Sequence, residues 1–408
     1  MPIDFILAWR NIWRNRRRTL ITVGGVLFAV VLSIFSQSLN RGSHEIMLDN
    51  MIRFGTGYLQ LQDEAYRDEP SLDNSFTWEA ATARRVAAAH PRTGQLLPRI
   101  ETFMLAAGDQ ATRGSLVVGI DADAEQRFNG LTDRISAGRF FTPDKPEVVV
   151  GQGLARRLQL TTGDTLALIG QGRFGMSASG LFEIVGIIKH PLREQDDQIV
   201  YLPIDVARQL LSAEGQITTL LVAPERASET EAIATALRRT FKDDGIRVLT
   251  WPELMPELLN LLRLDMAGSY LLSGILYIVI GFGFYATVLT MTLERLREFG
   301  TLISLGMKRT RLIRVIFLET LSISLIGVAA GLTLAWLVLF YFRLYPIRLR
   351  GDLAATVIDM GWEPILPVSF AANIFFSQGV IVFVLALVIS LYPLLKIIRL
   401  DILTAARS

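Results

Sequence analysis

Four uncharged apolar runs limit what this chain can fold into. Residues 20–39, 266–293, 320–342 and 374–395 contain no Asp, Glu, Lys or Arg. A helix rises about 1.5 Å per residue, so about 20 apolar residues cross the roughly 30 Å of hydrocarbon in a bilayer. Core helices of soluble proteins are seldom apolar for so long, and the four runs predict four membrane spans. Composition agrees: 51% of the residues are hydrophobic and the mean hydropathy is +0.38, too apolar for an ordinary soluble enzyme.

Basic residues near the ends of the runs set the orientation. Arg10, Arg14, Arg16, Arg17 and Arg18 precede the first run, against Asp4 alone. Arg295, Arg297, Lys308, Arg309, Arg311 and Arg314 stand between the second and third, against Glu294 and Glu298. Lys396, Arg399 and Arg407 follow the fourth. These three segments share one side of the membrane, and their charge makes that side the cytoplasm. The long segment 41–265 is then exported; it holds 24 Lys and Arg against 31 Asp and Glu. The stretch "RNRRRTLI" before the first run loosely resembles an export signal, but the run is longer than a signal's apolar core. No A-x-A site follows it, so a retained span is expected.

The expected organisation is a cytoplasmic start and first span over 1–40, an extracytoplasmic α+β domain with a stalk over 41–265, and spans two to four over 266–408. A cytoplasmic loop at 294–314 joins spans two and three. Within the exported segment, "TGYLQLQ" (56–62) alternates like a half-buried strand, and 181–189, 198–204, 218–224 and 246–250 also read as strands. "WEAATARRVAAAH" (78–90) reads as a helix, as does 228–241, where Ser228 and Glu231 have capping-box spacing. A Leu-rich helix over 251–272 would run into the second span as a stalk.

No catalytic constellation emerges. There is no cysteine, so disulfides and thiolate metal sites are excluded, and His44, His90 and His190 lack metal-ligand spacing. No phosphate-binding P-loop, H-E-x-x-H or dinucleotide fingerprint occurs, and "GMSASG" (175–180) does not fit a nucleophile elbow. Asp196 and Asp197 read as a solvated turn. A chain without chemistry of its own, if it does work, draws energy from a partner; nothing points to a nucleic acid, a cofactor or a metal.

The segment "REFGTLISLGMKRTRLIRVIFLET" (297–320) lies between the second and third spans. Read as a helix, it places Phe299, Leu302, Ile303 and Gly306 on one face, with Gly306 suited to a C-terminal cap and Lys308, Arg309 and Arg311 following. Such a helix can lie on anionic lipid or insert its apolar face into a groove on a cytoplasmic protein.

This segment resembles the coupling segment of MacB/FtsX-like ABC transporter permeases, which carry an R-E-x-G, LG and basic pattern here. "NIWRNRRRTLITVGG" (11–25), "VVVGQGLARRLQLTTGDTLAL" (148–168) and "YPLLKIIRLDILTAARS" (392–408) are similar to other parts of the family, so the likeness covers nearly the whole chain. The resemblance implies a non-catalytic four-span subunit of the bacterial inner membrane, multi-pass, with 41–265 in the periplasm. It implies use as a pair with a second copy or a paralogue. A separate cytoplasmic ATPase would bind the ATP and dock on Arg297, Glu298, Phe299, Leu302, Ile303, Leu305, Gly306, Lys308 and Arg309. Gly327 and Gly331 in the third span would allow close helix packing. Of the family's activities, lipoprotein release, with a lipid or lipoprotein substrate and a possible periplasmic carrier, is the first expectation. Efflux of peptides or small amphiphiles is the second, and regulation of an envelope hydrolase the third.

Overall fold

The computed structural model describes residues 3–14, 16–359 and 365–398, apart from the side chains of 291, 296, 297, 355, 356, 358, 359 and 392–398. The chain divides into two compact units. One is Met1–Glu45 with Leu261–Arg348 and Ile365–Ser408; the other is Ile46–Asn260 with Leu349–Pro364.

The first unit contains the span helices. The apolar runs become helices Arg16–Met51, Pro256–Glu294, Arg309–Leu344 and Ala372–Ile398, each long and apolar enough to cross a membrane. The first and third pack closely, with valine side chains of the first seated directly on glycines of the third. A Cβ on Gly327 would stand 2.7 Å from Val26 Cβ, and one on Gly331 would stand 2.7 Å from Val30 Cβ. Glycine at i and i+4 on one face is what lets two helices approach so closely. Polar side chains tie the spans together where hydrocarbon offers no water: Gln37 Nε2 donates to Ser273 Oγ at 2.9 Å, and the Tyr277 hydroxyl donates to Gln378 Oε1. Near the far end of the first apolar run, Ser38 Oγ donates to the Ser369 carbonyl at 2.6 Å.

Two helices begin or end differently from the sequence expectation. The first span helix continues well beyond its apolar run, to Met51, and then widens into a π turn over Ile52–Thr56. The helix expected over 251–272 is broken. A short helix Trp251–Leu254 ends at Met255, and a continuous helix restarts at Pro256. Proline has no N–H to donate and disfavours helical geometry in the residue before it, but it suits a helix's first position.

The second unit is built on a ten-stranded sheet. Its strands are β1 (Leu59–Asp63), β2 (Gln95–Ala107), β3 (Thr112–Ile120), β4 (Ile135–Gly138), β5 (Glu147–Gly151), β6 (Thr165–Gln171), β7 (Ser177–Ile188), β8 (Ile199–Pro203), β9 (Thr219–Ala223) and β10 (Ile246–Thr250). Six of them close into a ring. β2 pairs with β3, β3 with β8, β8 with β5, β5 with β7, β7 with β6, and β6 returns to β2. The long strands β2 and β7 make this closure possible, because each is long enough to pair with more than one neighbour. Alternate residues such as Ile100, Val117, Val150, Leu168, Ile184 and Val200 fill the interior. Outside the ring, β10, β1 and β9 extend the sheet from β2, all antiparallel. Helices Ala80–Ala89 and Thr230–Thr240 cover one face of this extension through Val86, Ile233 and Leu237.

Three local expectations are corrected. The strand at 59–63 is buried on both faces rather than half-buried. Leu59 and Leu61 lie under the two helices, while Gln60 and Gln62 are also buried, Gln62 Nε2 donating to Gln60 Oε1 at 2.7 Å and Gln60 Nε2 to the Thr56 carbonyl at 2.8 Å. The capping box at Ser228 does not form, because a 3₁₀ turn over Ala227–Glu229 leads into the helix and supplies backbone carbonyls instead. A capping box exists at Thr250 and Glu253, whose carboxylate accepts from the Thr250 N–H at 2.7 Å. Asp196 is not solvated: it is buried and accepts from the N–H groups of Gly153 and His190, each at 2.8 Å.

Candidate functional site

The loop between the second and third spans holds a nine-residue helix, Leu296–Ser304. It starts where the backbone leaves helical geometry at Arg295 and stops at a left-handed residue, Gly306, with φ of +92°. Gly306 N–H donates to the Ile303 carbonyl and Met307 N–H to the Leu302 carbonyl, both at 3.0 Å. That pair of bonds is the Schellman arrangement, and a β-carbon at Gly306 would strain it. Lys308 then caps the start of the third span helix. Lys308 and Arg309 are exposed.

Within this short helix the apolar residues divide into two sets. Phe299 is 3% exposed and packs on Leu312 and Ile316 of the third span helix, with Ile303 and Met307 beside it. Leu302 and Leu305 lie off this packed face and are 36% and 80% exposed. Helical spacing explains the split. Residues 298, 302 and 305 fall on one line of the helix, and 299 and 303 on another about 100° away. The expected single apolar face is therefore corrected: Phe299 and Ile303 belong to the fold, and Leu302, Leu305 and the carboxylate of Glu298 form the outward line. The Arg297 side chain lies outside the described residues.

Ion pairs flank the helix. Arg295 Nη1 meets Glu319 Oε1 at 2.7 Å with both side chains buried, and its guanidinium lies 5.3 Å from the centre of the Phe299 ring. Arg14 reaches Glu298 at 2.7 Å and Arg18 reaches Glu294 at 2.6 Å. On the next helix, Arg311 meets Asp4 at 2.8 Å. Asp4 and Arg14 belong to a helix over Ile3–Arg14 that the sequence reading did not identify. Its signal was present in Ile3, Ile6, Trp9 and Trp13, which recur at helical intervals among charges. The result is a helix packed on the third span through Phe299, with Leu302 and Leu305 exposed beside the Glu298 carboxylate.

The second unit holds a buried polar cluster of its own. Arg99 donates from Nε and Nη2 to the two carboxylate oxygens of Glu125, at 2.6 and 2.9 Å. Its Nη1 donates to the Gly55 carbonyl at 3.2 Å, and Asn129 donates to the Arg53 carbonyl at 3.3 Å. The cluster thus holds carbonyls of the π turn in which the first span helix ends. Nearby, burial pulls His190 down to about 4, with the charges of Arg99 and Arg134 adding to the effect, so its ring is neutral. Burial pushes the Glu101 carboxyl up against the opposing pull of Arg99. Among the described residues no group of His, Asp and Glu side chains is arranged to hold a metal ion.

Comparison with known proteins places both units. The family model of the MacB-like periplasmic core domain matches residues 19–240, more than half of the chain, and that of the FtsX-like permease C-terminal matches 270–402. An uncharacterised ABC transporter permease of Methanocaldococcus jannaschii is 24% identical over 82% of this chain and 83% of its own length. The pyoverdine export ATP-binding/permease protein PvdT of Pseudomonas syringae is 25% identical over 80% of this chain and 50% of its own. The macrolide export ATP-binding/permease protein MacB of Nitrosomonas europaea is 22% identical over 82% of this chain and 52% of its own. The chain spans about half the length of these two exporters. Four span helices and an extracytoplasmic α+β domain joined in one chain, with both family models in register, lead to one assignment: the protein belongs to the MacB/FtsX-like family of ABC transporter permeases.

Proposed function

We propose that this permease is the non-catalytic membrane subunit of a transporter driven by a separate cytoplasmic ATPase, and that the ATPase docks on the outward line of helix Leu296–Ser304. The exposure of Leu302 and Leu305 on a helix otherwise held by packing and ion pairs carries this reading. A rigid lever with an apolar contact surface passes force on, whereas a loosely held one would absorb it. PvdT and MacB are named as joint ATP-binding and permease proteins, and this chain matches about half of each. In this reading ATP is bound only by the partner, two permease copies or a copy and a paralogue act together, and the membrane is the bacterial inner membrane. Movement of the docked ATPase reaches the extracytoplasmic domain through the first and second span helices, which continue past their apolar runs.

For the cargo, we infer export of a small amphiphile or peptide. The two exporters named above favour it over the lipoprotein release, with a soluble carrier, that the sequence suggested first. The test is to purify the chain with and without a co-expressed ABC ATPase in nanodiscs, measure ATP hydrolysis, and identify co-purifying molecules by mass spectrometry. Hydrolysis only in the pair supports the reading, and hydrolysis by the chain alone overturns it. An acylated protein among the co-purifying molecules would return lipoprotein release to first place.

A further inference from the structure

The helix Ile3–Arg14 has two faces with different surroundings. Ala8 and Ile12 are buried against the third span helix, and Thr19 Oγ1 donates to the Ile12 carbonyl at 2.9 Å, fixing the turn into the first span. On the adjacent side Ile6, Trp9 and Trp13 are exposed in one stripe, with the two indole rings edge to face at 6.2 Å. Arg10 stands beside this stripe and Arg17 just beyond the helix; both are exposed, and neither has an acidic partner among the described residues. Arg16 stacks over Trp13 with its guanidinium 5.7 Å from the ring centre.

The position of the helix identifies what covers the stripe. It ends at the basic end of the first uncharged run, the level at which headgroups lie. Tryptophan favours that level because its ring is apolar and its N–H polar, and arginine favours it because phosphate oxygens are there. Water would leave two indoles and an isoleucine unburied, and a neutral lipid surface would leave the two arginines without counter-charge. We propose that helix Ile3–Arg14 is a binding surface for anionic lipid of the cytoplasmic leaflet, with Ile6, Trp9 and Trp13 seated among the acyl chains and Arg10 and Arg17 on the phosphates. The proposal rests on the membrane spans and is independent of any ATPase docking. It has a consequence for the loop helix, because Arg14 and Asp4 of the lipid-bound helix hold Glu298 and Arg311. Anionic lipid would therefore steady the ion pairs that flank the loop helix.

The chain has no cysteine, so a single label can be placed cleanly. Ile6→Cys, and separately Ile3→Cys, would be labelled with bimane in the full chain. The labelled protein would then be placed in nanodiscs of phosphatidylcholine alone or of phosphatidylcholine with phosphatidylglycerol, and an aqueous quencher added. The label at position 6 is expected to be protected in the anionic discs and quenched in the neutral ones. Arg10→Gln with Arg17→Gln should lower the ratio of protected to quenched label by roughly fivefold per arginine, the factor equivalent to about 1 kcal/mol for each basic residue near an anionic surface. Equal quenching in both discs overturns the proposal. Protection that is the same in neutral discs and indifferent to the arginine substitutions overturns it too, since it would mean that a protein surface or apolar insertion alone covers the stripe.

Discussion

Arg295 and Glu319 form an ion pair of 2.7 Å whose side chains are only 7% and 3% exposed. It sits where the second span ends, the loop helix starts and the third span begins its apolar run, and the Arg295 guanidinium also covers Phe299. The pair is therefore the hinge pin of the loop, and its cost and benefit are those of charges away from water. Attraction at short range offsets a desolvation penalty that either partner alone could not bear.

Glu319→Leu alone leaves the buried Arg295 charge without its buried partner, with only the half-exposed Glu298 at 3.5 Å, and should cost up to about 3–5 kcal/mol. Arg295→Met, which leaves the Glu319 carboxylate buried, should cost a similar amount. The double variant replaces both charges by apolar groups and should recover most of the loss. Thermal unfolding of the three variants in one detergent checks this. A double variant as unstable as the singles would show that the pair does not act as a unit.

Close packing of the first and third spans gives a second expectation. Gly327→Val or Gly331→Val puts a branched side chain where Val26 or Val30 already stands, and overpacking of this kind costs about 1–3 kcal/mol. Gly24 has nothing within 4 Å of its would-be Cβ, and Gly24→Ala should be neutral or stabilise by up to about 1 kcal/mol through helix propensity. Comparing melting temperatures in one detergent separates contact from propensity: if all three variants shifted alike, close approach would not be the reason for the glycines.

The spans and the turn at Gly306 were legible in the sequence because each follows from a local signal: a long uncharged run, or a glycine between a helix and a basic segment. The division of the loop helix was not. Phe299, Leu302, Ile303 and Leu305 share one broad apolar stripe, and periodicity cannot say which part meets the chain's own third span and which part stays open. Closure of the ring was hidden for another reason. Leu105 on β2 pairs with Ile169 on β6, and nothing local to either residue encodes a partner so far along the chain. Gln60 and Gln62 misled in the opposite direction, since they read as solvent-facing and are buried with each other for a partner.

His190 supplies a pH dependence with a definite sign. Its folded-state value of about 4 lies below the ordinary 6.5 of histidine, so between these two values the unfolded chain binds more protons than the folded one. The contribution is fully present above pH 6.5 and is lost as pH falls towards 4, by at most roughly 3 kcal/mol. His190→Gln removes the titrating group. Melting temperatures at pH 7 and pH 4.5 should differ less in the variant than in the natural chain; the same drop in both would assign the pH dependence elsewhere.

The central claim is that Leu302 and Leu305 are the contact through which an ATPase moves this permease, and co-purification of the ATPase with single variants tests it most directly. Leu305, at 80% exposed, has the most area left to bury, and a fully buried leucine is worth roughly 1.5–3 kcal/mol. Leu305→Asp and Leu302→Asp place an unpaired carboxylate in that contact and should abolish recovery of the ATPase while the permease still inserts and melts normally. Lys308→Ala, a change at an exposed and salt-screened rim, should weaken recovery much less. Phe299→Asp should instead lower the melting temperature, because that ring packs inside the chain. Loss of the ATPase from the two leucine variants with an intact fold is the result the account predicts; undiminished recovery with Leu305→Asp and Leu302→Asp would contradict it.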